Sequence, residues 1–102
     1  MITVSALVPF HDVPAPLLEG TLFSLRRFNE VIGYADTHDS ELMCRASSHC
    51  DTILYNPDKK ILPWIRKRLI DEATSEYIVF HDSDDIRLDT LEDHTKILET
   101  YS

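Results

Sequence analysis

Glycine is nearly missing from this chain, with Gly20 and Gly33 the only two in 102 residues. Gly20 falls inside a helical pattern and Gly33 inside an apolar run, so no loop can cradle a pyrophosphate with bare backbone amides. A nucleotide diphosphate would need its charge met by a metal instead. Cysteine is equally sparse, and Cys44 and Cys50 make no disulfide framework. With His38 and His49 they could be drawn as a zinc site, but the spacings fit no standard finger and the segment reads as a helix and loop. A reduced, cytoplasmic setting is the expectation. Basic residues are also few, ten Lys and Arg against 18 Asp and Glu, for a net charge of −8. That balance argues against non-specific nucleic-acid binding, which needs clustered Lys and Arg on phosphates. It suits a cation-dependent site, although a solvated acidic surface would give the same total. No apolar run approaches a membrane span, and Met1-Ile-Thr-Val begins a strand without a signal-peptide pattern. Neither a transmembrane segment nor a leader is expected.

What the chain does have is a 43% apolar content, enough for one compact core, so residues 1–102 are expected to form a single domain. Apolar runs alternate with helical periods. The first strand is expected at about 2–9, closed by Pro9, and Leu18, Leu22 and Leu25 then predict a helix over about 15–28. A second strand at about 30–35 ends at Asp36, a short helix follows near 39–47, and a third strand at about 51–55 closes on Asn56-Pro57. Ile61, Ile65, Leu69 and Ala73 share a stripe on a helix over about 60–74, with Trp64 beside it. The fourth strand is expected at about 77–81. Leu88, Leu91, Thr95 and Leu98 predict a last helix at about 89–101, where Asp89 and Glu92 form a capping-box variant. Such alternation is the signature of βαβ units and a mainly parallel sheet with helices on both faces. The fold class is α/β, Rossmann-like, without a glycine-rich dinucleotide fingerprint.

The richest stretch is Ser75-Glu-Tyr-Ile-Val-Phe-His-Asp-Ser-Asp-Asp-Ile86. Tyr77 to Phe80 reads as an internal strand and runs directly into Asp82, Ser83, Asp84 and Asp85. Side chains two apart on an extended chain point the same way, so Asp82 and Asp84 can converge while Asp85 faces elsewhere. Carboxylates packed at a strand end repel one another, and a hard divalent cation with oxygen ligands relieves that repulsion. An acid-rich helix-cap loop would account for the same residues.

Four segments in order resemble the nucleotide-binding half of family-2 glycosyltransferases with the GT-A fold. Val4-Ser5-Ala6-Leu7-Val8-Pro9-Phe10-His11-Asp12 is similar to that family's opening "VSVIIPxYN" strand, and Thr21-Leu22-Phe23-Ser24-Leu25 to its "TLxSL" segment. Glu30-Val31-Ile32-Gly33-Tyr34-Ala35-Asp36-Thr37 looks like "EIIVVDDGS". Ala73 to Asp85 looks like "A-x-GEYIxFLDxDD". The resemblance covers nearly the whole chain and implies a truncated GT-A fold with strand order 3-2-1-4. The carboxyl ends of three strands would then face one crevice.

By that resemblance Asp82 and Asp84 occupy the ends of a D-x-D motif. Asp84 would hold Mn²⁺ or Mg²⁺ on the diphosphate, and Asp82 would reach the ribose or a metal-bound water. Ser83 lies between them. Asp36 matches an acid that accepts from the ring N–H of the base, which implies uracil and a UDP-sugar; an Asp turning the chain after a strand is the plainer account of it. Pro9, Phe10 and Asp12 match a corner around base and ribose, where Phe10 could stack on uracil or simply pack in the core. Arg66 falls where the family carries an arginine near the phosphates, although with Lys59, Lys60, Lys67 and Arg68 it also reads as a solvated basic stripe. His11 and His81 are single histidines at strand ends.

Ala35, Lys67 and Leu69 depart from the family pattern. The family's acceptor site and its general base lie beyond the segments matched here, so these residues are expected to supply the donor half only. Three functions stay open: a metal-dependent transferase moving a sugar from a UDP-sugar to an unknown acceptor, a module that binds UDP or a UDP-sugar without completing transfer, and a fold that has lost its ligand. A third strand at the sheet edge and an uncovered fourth strand imply a homo-oligomer or a partner chain.

Overall fold

Along residues 4–10, Val4, Ala6, Val8 and Phe10 alternate with Ser5, Leu7 and Pro9, and all but Pro9 are buried. Only a central strand covered on both faces requires that pattern. The structure is a computed structural model that describes residues 2–55 and 61–83. Among them the chain forms β1 (Val4–Phe10), α1 (Ala15–Ser24), β2 (Glu30–Ala35), α2 (Ser40–Ser47), β3 (Thr52–Tyr55), α3 (Leu62–Glu72) and β4 (Tyr77–Phe80). The strands are all parallel, in the order β3-β2-β1-β4. This is the α/β, Rossmann-like sheet expected from the sequence. The expected helix at 89–101 with Asp89 and Glu92, the Asn56-Pro57 turn, and Asp84 and Asp85 lie outside the described residues.

Each face of the sheet has its own core. Val4, Ala6, Val8, Val31 and Ala35 pack with Leu18, Leu22 and Leu25 of the α1 segment and with Leu42 and Ala46 of α2. Leu7, Ile32 and Tyr34, on the opposite face, pack with Ile65 and Leu69 of α3. The i, i+4 spacing of Ile65 and Leu69 is what turns α3 onto the sheet.

Two boundaries differ from the sequence expectation. α1 stops at Ser24 because Leu25, Arg26 and Phe28 donate to carbonyls only three residues back, tightening the chain into turns that bury Phe28. Pro9 does not end β1. Val4 and Phe10 carbonyls accept from the β2 side, whereas Thr3 and Leu7 carbonyls accept from Tyr77 and His81. Residue 9 therefore faces β4, two residues beyond Leu7 of the last β1–β4 pair, Leu7↔Phe80. Its missing N–H removes no bond to β2, and it ends the ladder to β4.

Candidate functional site

Because Pro9 offers β4 no donor, β1 and β4 part company after His81 donates its amide to the Leu7 carbonyl at 3.0 Å. β1 is also where strand order reverses, with β2 on one side and β4 on the other. Open α/β sheets bind ligands at that point, outside the carboxyl ends of the strands. A crevice of about 240 Å³ opens there. Pro9, Phe10 and His11 contribute from β1, Asp36 from the end of β2, and Asp82 and Ser83 from the residues after β4. Leu62 and Ile65 of α3 form an apolar wall.

Five of the eight residues expected at a site from sequence thus share one crevice: Pro9, Phe10, Asp36, Asp82 and Ser83. Asp36 is half-buried and Asp82 exposed, while Ser83 is 5% exposed. No Lys or Arg is among the described lining residues, so its electrostatic character comes from the two carboxylates. An N–H donor or a cation suits such a rim, and a bare phosphate does not.

The other expected residues stand apart from this lining. Asp12 accepts a hydrogen bond from the Thr37 hydroxyl. Arg66 is exposed on α3, one turn beyond Leu62, with its guanidinium carbon 5.3 Å from the centre of the Phe80 ring, a cation–π contact. Asp84 lies outside the described residues. Among those described, no group of three His, Cys, Asp or Glu side chains is arranged to hold a metal ion. Asp82 is thus the one residue of the expected metal pair whose surroundings are described.

Phe10 contributes to the crevice, but it is 2% exposed. Its ring packs with the α1–α2 core, and its Cε1 lies 3.2 Å from where a Cβ on Gly33 would stand. Stacking on a base would require that ring to leave the core. His81 is 6% exposed, buried beside the crevice.

Leu62 and Ile65 were the residues sequence reasoning missed. Ile65 carried only the signal of a core stripe. The right-handed crossover rule, which puts α3 on the face opposite α1 once strand order reverses, is the signal that brings the start of α3 over the strand ends. Behind them, the Tyr34 hydroxyl is buried without a hydrogen-bond partner among the described residues, and its ring meets Trp64 edge-on at 6.2 Å. Burial first, and the Asp36 charge second, push the Tyr34 phenol above its ordinary value, with Arg68 opposing them.

The fold and crevice together define a small Rossmann-like α/β protein with an acidic, apolar-walled cleft at its switch point. No family model matches the chain. No curated protein matches it significantly either. No helix among the described residues is long and apolar enough to cross a membrane.

Proposed function

We propose that the chain is the donor-binding half of a glycosyltransferase, taking a UDP-sugar in this crevice for transfer to an acceptor. The observation that carries the reading is the half-buried Asp36 carboxylate at the switch point, beside Pro9, Leu62 and Ile65. A flat apolar base fits between such walls, and a carboxylate at its edge selects one that presents an N–H, as uracil does. Asp82 and Ser83 would face the ribose and the diphosphate. Arg66 would lie one turn from the wall, with its charge on the β4 side. A divalent cation, Mn²⁺ or Mg²⁺, held by Asp82 and Asp84, would neutralise the charge of the diphosphate. Self-association belongs to the same proposal, since Ile78 on β4 is exposed and β4 pairs only with β1 among the described strands.

Calorimetric titration with UDP and several UDP-sugars, with and without Mn²⁺, tests the proposal. Binding should require the cation, and Asp36→Ala should weaken it about 10- to 100-fold, the worth of a hydrogen bond to a charged group. Equal affinity in excess chelator, or an Asp36→Ala variant that binds as well as wild type, would exclude it.

A further inference from the structure

The last backbone bond between β1 and β2 is donated by the Asp36 amide to the Phe10 carbonyl at 2.8 Å. Beyond it both chains leave the sheet, one towards α1 and the other towards α2. A single residue ties the two exits together. The Thr37 hydroxyl donates to Asp12 Oδ1 and accepts from the Asp39 amide at 3.1 Å. Asp39 in turn caps α2, its Oδ1 accepting from the amides of Glu41 and Leu42, both at 3.1 Å. Leu42 is 3% exposed, packed in the α1–α2 core. A continuous path therefore runs from that core, through Asp39 and Thr37, to the rim of the crevice.

Thr37 is itself 6% exposed although His38 and Asp39, which follow it, are exposed. It is absent from the crevice lining. Successive side chains of an extended segment point to opposite faces, so with Asp36 in the crevice Thr37 falls on the far side of the chain. A buried hydroxyl that uses both its donor and its acceptor fixes its own backbone, and that backbone carries Asp36.

We propose that Thr37 is a positioning residue: by bridging Asp12 and the Asp39 amide, its hydroxyl sets the place of the Asp36 carboxylate, and with it the preference of the crevice for a base that presents an N–H. The preference rests on the uridine-nucleotide reading, whereas the positioning does not. Two measurements keep them separate.

In the free protein, amide hydrogen exchange at Asp36 should quicken about tenfold or more in Thr37→Val while Ile32, inside β2, keeps its rate. Thr37→Ser, which restores a hydroxyl, should stay near wild type. Asp12→Ala, at an exposed position, should produce the same change in smaller degree and serves equally if Thr37→Val does not fold. Unchanged exchange at Asp36 in a folded Thr37→Val, or in Asp12→Ala, overturns the positioning role. With Mn²⁺ present, affinities for UDP and for its N3-methyl analogue give the second measurement. Wild type and Thr37→Ser should prefer UDP by about tenfold, and Thr37→Val should prefer it by less than about threefold. A Thr37→Val protein with the full preference overturns the link to selectivity. A wild type that binds neither nucleotide sinks the uridine reading, and the exchange rates at Asp36 still decide the positioning.

Discussion

The two ends of the parallel sheet use the same residue types for opposite purposes. At the amino end, Asn29 Oδ1 accepts from the Val4 amide at 2.8 Å and Asp51 Oδ2 from the Val31 amide at 2.7 Å. Glu30 accepts from the Ser5 hydroxyl at 2.8 Å, and from both the amide and the hydroxyl of Thr74. Each carboxylate there closes a loop onto the first residues of a strand. At the carboxyl end Asp36 and Asp82 line a crevice, and the side chains of the described residues give them no hydrogen bond. Acids that are occupied hold a fold together, and acids left open at a switch point are available to a ligand. Three experiments can break or sharpen this contrast.

The largest effect concerns Cys50, which sits at the closed end just before Asp51. Burial, with a smaller contribution from the Asp51 charge, pushes its thiol up to about 12 from an ordinary 9.0. The thiolate is the nucleophile, so at pH 8 Cys50 should alkylate roughly a thousandfold more slowly than an ordinary thiol. Cys44 is exposed and should react first. Mass spectrometry after iodoacetamide would count the labels, and rapid double labelling of folded protein would mean the amino end is not closed. Linkage gives the matching sign. The folded state holds the Cys50 proton more tightly than the unfolded one, so the contribution to stability is complete below pH 9 and is lost as pH rises towards 12.

Next in size is a matched pair of substitutions. Glu30→Ala removes the acceptor of three hydrogen bonds from Ser5 and Thr74, and should cost about 2–3 kcal/mol in urea unfolding. Asp36→Ala, at the open end, should stay within about 0.5 kcal/mol of wild type. A stability loss at Asp36 as large as that at Glu30 would place both acids in the framework and remove the distinction between the ends.

Element order, sheet type and the α1 and α3 stripes were legible because burial on one helical face and on both faces of a strand leaves a periodic trace. Asp82 was legible for a different reason, as part of a carboxylate cluster at a strand end, and Asp36 only through the resemblance of its strand to the family's second one. Three things were not. Pro9 looks like a stop in any strand, and only the register shows that its missing donor faces β4, where the ladder stops, and not β2, where pairing continues to Phe10. The direction of the Phe10 ring depends on which face of β1 it shares, a choice between base and core that its residue type leaves open. Thr37 ends the segment that looks like "EIIVVDDGS", but neither that likeness nor any periodicity points to its positioning role, which depends on Asp12, 25 residues away in sequence.

The smallest effect tests how firmly the Phe10 ring belongs to the core, and so whether the crevice can borrow it. A Cβ at Gly33 would stand 3.2 Å from Phe10 Cε1 and 3.4 Å from Cys50 Sγ. Gly33 has no positive backbone φ, so its substitution strains no dihedral and its cost comes from these contacts. A ring pinned between β2 and the α1–α2 core must either shift by a few tenths of an ångström or be compressed. Gly33→Ala should therefore cost about 1 kcal/mol, the low end for overpacking, offset in part by the entropy that glycine would have lost. The urea midpoint should fall with its slope unchanged. If the substitution were neutral or stabilising, the ring would have room to move. Phe10 could then swing towards the crevice when a base binds, and the open end of the sheet would reach further into the core than the structure shows.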